Sequence, residues 1–371
     1  MIICHMTSAH DSDDIRILKK QCVSLAKNKD NKVYLVAKGD SYEYKNVQIV
    51  GIGIQSGGRL NRMLNVGRTV YKKALSLDAD IYQFHDPELL PYAKKLKKRG
   101  KKVIFDSHEN YKKQIMLKGY ISKPFRRIIR ALYSSIEAQA CRYLDAVLYP
   151  EDSSPYENIA KECVVIRNTP MLDELKPEVP YEEKKEKVCC VGTLSEDRGI
   201  RILVKACYKE GVELVLGGRF SPPSFEDSLR NEEAFKIVDY RGKCDRQQVN
   251  QIYNECLIGA DNIQRVGQYP QIRTLPTKVY EYMIMGMPYF TSDFDFNKEI
   301  IDKYKCGIYV DPGDVDTVAG AIRFLLDNKE KGKQMGKNGR KLIEEEFNWS
   351  VDEKRLFDLY DRLYKEKFEK Q

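Results

Sequence analysis

Thr274-Leu275-Pro276-Thr277-Lys278-Val279-Tyr280-Glu281-Tyr282-Met283-Ile284-Met285-Gly286-Met287-Pro288 runs directly into Tyr289-Phe290-Thr291-Ser292-Asp293. The order predicts a helix followed by a buried strand. Pro276 suits a first helical turn, Thr274 is placed to cap it, and Gly286 with Pro288 stops it before the strand. A helix starting there has backbone N–H groups without intrahelical acceptors and the positive end of its dipole, which together make an anion site. Lys278 in the first turn opposes that dipole unless it too faces an anion. Glu281 lies about 1.5 turns in, where a carboxylate can accept from vicinal hydroxyls such as those of a ribose. The plainer alternative is an ordinary capped helix with Glu281 on its solvated face.

The same helix-to-strand alternation extends in both directions. Residues 2–6, 33–37, 47–52, 80–85, 103–107, 146–149 and 163–167 are short runs rich in Val, Ile, Leu and Tyr, as buried parallel strands are. Amphipathic stretches lie between them at about 12–27, 60–76, 88–98 and 123–143. A second series begins at Val188-Cys189-Cys190-Val191-Gly192 and continues through 212–216, 237–240, 257–260, 289–292 and 307–310. Residues 168–187, with three prolines and a dense charge run, separate the two series. The fold class predicted is α/β: two doubly wound parallel-sheet, Rossmann-like domains facing a central cleft. The boundaries expected are 1–170 for an N-terminal acceptor-side domain, 171–187 for an exposed linker, and 188–347 for a C-terminal nucleotide-sugar-binding domain. Residues 348–371 form a C-terminal helix that is a candidate to pack back on the first domain.

Composition narrows the function. With 42% hydrophobic and 32% charged residues among 371, the chain is neither disordered nor a coiled coil. No stretch approaches the roughly 18 apolar residues of a membrane span. The opening Met1-Ile2-Ile3-Cys4-His5-Met6 reads as a strand and not as a secretory leader, so a cytoplasmic protein is expected. Ten cysteines without any C-x-x-C pair read as reduced core residues. Asp-x-Asp occurs at Asp11/Asp13, Asp78/Asp80, Asp293/Asp295 and Asp314/Asp316, but none has a His or Cys companion at ligand spacing, and no metal is expected. The absence of G-x-x-x-x-G-K-S/T, and of G-x-G-x-x-G after the first strand, argues against an NTPase or a dehydrogenase.

The charge is uneven. Residues 1–170 hold 30 Lys and Arg against 18 Asp and Glu, whereas 171–371 hold 33 against 37. Within 111–130 lie Lys112, Lys113, Lys118, Lys123, Arg126, Arg127 and Arg130 with no acidic residue, interleaved with Ile115, Tyr120, Phe125, Ile128 and Ile129. This composition suits an anionic membrane surface, with the protein peripheral on the inner face of the plasma membrane. A solvated helix face is the alternative. No nucleic-acid-binding motif accompanies the charge.

The L-P-T-K-x-x-E-Y-M-x-x-G-x-P run resembles the donor-nucleotide helix of the family 4 retaining glycosyltransferases, which have the GT-B fold. Met6-Thr7-Ser8-Ala9-His10, His85-Asp86-Pro87-Glu88, Asp106-Ser107-His108-Glu109-Asn110, Gly192 through Gly199 and Gly217-Gly218-Arg219-Phe220 resemble other parts of that family in the same order. The resemblance implies transfer of a sugar from a UDP- or GDP-linked donor to an acceptor hydroxyl. It implies retention of anomeric configuration, with no metal or other cofactor. It further implies that Arg198 and Lys278 stabilise the leaving diphosphate, that Glu281 binds the ribose and that His108 contacts the donor sugar. Gly192, Arg219, Leu275, Pro276 and Thr277 complete the expected donor set, and the acceptor is a sugar or lipid-linked sugar in polysaccharide or glycolipid synthesis.

Two positions depart from the family. Arg273 stands eight residues before Glu281, where a Glu is usual, and Thr193 stands where an Arg is common. Arg273 is expected either to meet a carboxylate or diphosphate of the donor or to be solvated on a drifted loop. Arg273 also motivates an alternative: a catalytically silent nucleotide-binding or scaffold subunit. A sugar-nucleotide epimerase on the same plan is a third reading.

Overall fold

The computed structural model describes residues 1–53, 65–108, 111–117, 122–151 and 155–368. The chain divides into two compact units: Met1–Asn168 with Asp352–Gln371, and Thr169–Val351.

The first unit is built on a sheet of eight strands: β1 (Ile2–Met6), β2 (Lys32–Ala37), β3 (Tyr42–Tyr44), β4 (Val47–Gly51), β5 (Ile81–Phe84), β6 (Lys102–Asp106), β7 (Ala146–Tyr149) and β8 (Cys163–Val165). Their order is β3-β4-β2-β1-β5-β6-β7-β8, and all pairs but β3–β4 are parallel. The parallel strands follow from sequence directly, because β1, β5, β6 and β7 are covered on both faces and therefore read as continuous apolar runs. The antiparallel β3 lies outside that expectation. It is a short, exposed edge strand joined to β4 through Lys45 and Asn46, both at positive φ, in a tight hairpin. The strand order reverses at β1, so the ends of β1, β5 and β6 open together at a topological switch point.

The second unit has a six-stranded, all-parallel sheet. Its strands are β9 (Lys185–Leu194), β10 (Leu214–Phe220), β11 (Val238–Tyr240), β12 (Cys256–Ala260), β13 (Tyr289–Ser292) and β14 (Ile308–Val310), ordered β11-β10-β9-β12-β13-β14. Here the reversal falls between β9 and β12. Two apolar cores flank the sheet, one around Leu203, Leu216 and Ile322, the other around Tyr282, Met283 and Ile343.

Residues 171–187, expected as an exposed linker, fold with this unit. They form the short helical turns Leu172–Glu174 and Tyr181–Glu183. Leu175 is buried in the second core, and the Asn254 side chain accepts from the amides of Glu178 and Val179. The helix Trp349–Phe368 turns its Tyr360 into the first unit, where it is fully buried against His5 and Gln83.

Candidate functional site

In the second unit, the β9/β12 switch point opens into a cavity of about 530 Å³. Gly192, Thr193 and Arg198 line it from the β9 side, and Thr274 through Lys278 with Glu281 line it from the helix Thr277–Ile284. Local geometry makes room for this. Gly199 has φ 67° and begins the helix Ile200–Glu210, and a Cβ there would lie 2.0 Å from the Asn262 carbonyl oxygen. Gly218 (φ 140°) passes so close to Gly192 that a Cβ would sit 1.7 Å from the Gly192 carbonyl oxygen. Only glycine lets these loops approach.

The helix Thr277–Ile284 begins at Pro276, so the amides of Thr277 and Lys278 lack intrahelical acceptors, and both residues line the cavity. Thr274 does not cap it; its hydroxyl pairs with the Tyr280 hydroxyl at 3.1 Å. Lys278 is only 10% exposed, with Nζ 3.3 Å from Cys190 Sγ and 3.7 Å from Asp261 Oδ1. Burial would lower its pKa, but Cys190 and Asp261 outweigh burial and the direction is upward. Arg198 lays its guanidinium over the Tyr269 ring, 4.9 Å from the centroid, and its positive charge acts on Lys278. Among the described residues no carboxylate pairs with Arg198. Two cations and a helix start thus face one cavity.

Glu281 is 8% exposed and already engaged: Oε1 accepts from Arg246 Nη1 and Oε2 from the Tyr253 hydroxyl, both at 2.6 Å. A carboxylate has about four acceptor sites, so capacity for ligand hydroxyls remains. Arg246, also on the cavity wall, was not found from sequence. The capping box Asp245–Gln248 places it on the first turn of its helix, but its reach to a residue 35 positions away is tertiary.

Two expected donor residues lie elsewhere. Arg219, on β10 opposite Thr193, is exposed and outside the cavity lining. Arg273 turns away: Nη2 bonds Glu299 Oε2 at 2.9 Å, the guanidinium stacks over Phe296, and its side chain is 40% exposed.

In the first unit, His108 follows β6 at the β1/β5/β6 switch point and lines a smaller cavity of about 360 Å³ with Asp14, Ile15, Arg16, Pro150 and Asn168. Behind it lies buried Asp106. Arg16 binds Asp106 through Nε and Nη2 at 3.0 and 2.6 Å, and Gln21 donates at 2.6 Å. Burial by itself would raise this carboxyl, but Arg16, His108 and His85 outweigh it and hold it well below the ordinary carboxylate range. Asp106 Oδ2, His85 Nδ1 and His108 Nε2 are 3.2–3.3 Å apart, a spacing that three ligands of one metal ion can have. The Arg16 charge already bound to Asp106 disfavours a second cation there.

The basic segment divides. Lys112 is not on a free face, because it pairs at 2.5 Å with buried Glu137. The Lys113 side chain, Lys118 and Tyr120 lie outside the described residues, as do Glu109 and Asn110. The helix Lys123–Cys141 exposes Phe125, Ile128, Ile129, Leu132 and Ile136, with Phe125 at 63% and Leu132 at 62%. At 100° per residue these five fall in one stripe, while Lys123, Arg127 and Arg130 fall on the opposite side. Arg126 donates to the Met116 carbonyl at 2.9 Å.

Residues 172–342 match the family described as glycosyl transferases group 1. A stretch of 84 residues is 32% identical to spore coat protein SA of Bacillus subtilis, spanning 22% of each chain. The whole fold resembles sucrose-phosphate synthase from Thermosynechococcus elongatus (TM-score 0.74, 15% identity, 98% of this chain and 99% of that one). It also resembles Anabaena HepE solved in complex with UDP and glucose (TM-score 0.69, 15% identity, 97% and 99%). The fold is GT-B, and its second unit carries the group 1 glycosyl transferase match.

Proposed function

We propose that this protein transfers a glycosyl group from a UDP- or GDP-linked sugar to an acceptor hydroxyl, with retention and without a metal ion. The observation that carries this reading is the convergence of Arg198, which has no carboxylate partner among the described residues, with Lys278 and the start of the helix Thr277–Ile284. Like charges held together in one cavity cost energy until an anion enters, and a diphosphate supplies two or more negative charges. The same cations stabilise that diphosphate as it leaves, and they are fixed in place before the bond breaks. Glu281, braced by Arg246 and Tyr253, accepts from the ribose hydroxyls. His108 contacts the sugar.

HepE, a protein of this fold, was solved with UDP, which supports a uridine donor. A thermal-shift and calorimetric comparison of UDP, GDP and inorganic phosphate tests the reading. Diphosphate nucleotides should raise the melting temperature of wild type and fail to do so in Arg198→Met. Equal, negligible shifts for every nucleotide would end it. NMR of the product anomer tests retention, and activity in excess chelator tests metal independence.

The acceptor side is proposed to be lipid-linked, on an anionic membrane. The apolar stripe Phe125–Ile136, with cations on the other side of the same helix, is the form of an interfacial helix, where each nearby cation adds about 1 kcal/mol. Wild type should float with anionic vesicles and Leu132→Ser more weakly. Equal absence of binding to anionic and neutral vesicles would remove the membrane from the proposal.

A further inference from the structure

The cavity of the second unit has an end that the proposed cation and ribose contacts do not use. Glu281 is held from the helix Arg246–Glu255, and Lys278 faces Asp261, just after β12. Next in the sheet order comes β13, and Phe294 and Asn297, which follow it in the chain, continue the cavity wall. Glu281 is the only carboxylate on that wall among the described residues, and Arg246 and Tyr253 already engage it.

Asn297, the third residue of the helix Asp295–Tyr304, is 3% exposed, and its amide can point only one way. The Ser292 carbonyl can only accept, so the atom 2.8 Å from it is Nδ2. Thr291 spends its proton on Asp261 Oδ2 at 2.8 Å, so its oxygen accepts from Asn297 Nδ2 at 3.1 Å. Both amide hydrogens are thereby used inside the protein. Oδ1 has no hydrogen bond among the described residues, yet it is not sealed from solvent as Asn262 Oδ1 is. It is the polar atom that Asn297 offers to the cavity.

We infer that Asn297 is a specificity-determining residue whose Oδ1 accepts one hydrogen bond from the glycosyl group of the donor. This rests on the proposed function for the ligand's place: with ribose at Glu281 and diphosphate at Lys278, the glycosyl group is the part left to reach the β13 end. Turning the amide over would set Oδ1 against the Ser292 carbonyl, so Asn297 cannot switch to donating. It favours a hydroxyl or amide N–H at one position of the sugar ring and penalises a deoxy position or an ether there. Thr193 and Thr277, elsewhere on the wall, carry hydroxyls that rotate to suit donor or acceptor and discriminate less. Being neutral, Asn297 makes this contact without an anion that would compete with the diphosphate for Lys278.

Calorimetry on the full-length protein tests the inference. UDP and GDP are compared with their hexose and N-acetylhexosamine conjugates. Analogues of the tightest conjugate that lack one hydroxyl or acetamido group are then measured on wild type and on Asn297→Leu. In wild type, one analogue should bind about 10-fold more weakly than its parent. Asn297→Leu should lose about 10-fold toward the parent, no longer distinguish that analogue, and keep its affinity for the bare nucleotide diphosphate. The same discrimination in wild type and a folded variant overturns the inference, and so does a wild type that tolerates every analogue. Should Asn297→Leu not fold, the side-chain amide signal of Asn297 in the wild-type 1H–15N spectrum decides. It should move on adding the conjugate beyond any shift caused by the nucleotide diphosphate, and a signal indifferent to the sugar overturns the inference. Failure of every nucleotide to bind would defeat the proposed function and this inference with it. Nucleotide binding without a sugar preference that depends on Asn297 would defeat this inference alone.

Discussion

Asp106 ends β6 in the first unit and Asp261 follows β12 in the second; both are buried, and the two are handled in opposite ways. Asp106 is saturated: Arg16, Gln21, His85 and His108 surround it. Asp261 accepts from Thr291 through Oδ2 at 2.8 Å, but buried Oδ1 has no hydrogen bond among the described residues, and Lys278 stands off at 3.7 Å. The first arrangement is finished in the free protein and fixes the shape of its site. The second leaves a lysine between a carboxylate behind it and an open cavity before it. A cation held that loosely can turn to an incoming anion, which a bidentate arginine cannot.

The largest test of the contrast is to break the saturated side. Arg16→Met leaves Asp106 charged in the interior, and removing one partner of a buried pair costs about 3–5 kcal/mol. Urea denaturation should report that loss. A change under 1 kcal/mol would mean the remaining donors hold Asp106 unaided.

Lys184 extends the contrast to a buried cation that, among the described residues, has no anion at hydrogen-bonding distance; its Nζ donates to the Tyr253 carbonyl, and burial pushes its pKa down to about 8. The unfolded chain holds that proton more tightly, so charged Lys184 weakens the fold below pH 8. The penalty fades as pH rises from 8 toward about 10.4. Lys184→Met should thus exceed wild type in stability near pH 7, by at most about 3 kcal/mol, with the gap closing by pH 10.

In the open cavity, Arg198→Met should weaken UDP binding by about 10–100-fold, the worth of a charged hydrogen bond. The unliganded melting temperature should hold or rise, because a like-charge contact is relieved. Lys278→Met should weaken binding similarly but lower stability as well, since it strands Asp261. Identical stability effects from the two variants would erase the distinction drawn between them.

The smallest effect is expected at His10. Its hydrogen bond to Asp14, at 3.1 Å, outweighs burial and raises its pKa above the ordinary value. The stabilisation is complete below about pH 6.5 and is lost as pH rises through the raised value. His10→Asn should flatten that part of the stability profile.

The architecture was legible because buried parallel strands carry unbroken apolar runs, and every strand expected from them is present. The helix Thr277–Ile284 was legible from Pro276 and Gly286, whose roles are local. What failed was direction. For Arg273 the motif left a donor contact and a solvated loop both open, and its partners here, Phe296 and Glu299, stand more than 20 residues on. Lys112 likewise looked like part of a basic surface until Glu137 claimed it. The contact of Tyr360 with His5 was illegible for the same reason: the two stand 355 positions apart, and no spacing rule reaches that far.

The return of Asp352–Gln371 to the first unit has a consequence for synthesis. A ribosome finishes His5, Gln21, Gln83 and Asp106 early, then must translate the whole second unit before Tyr360 appears. At roughly 5–20 residues per second, that wait lasts on the order of 10–40 seconds. During it the nascent lobe carries half-made polar contacts in its interior, so early release or a stop codon before Tyr360 should leave a chain that chaperones and proteases recognise as incomplete.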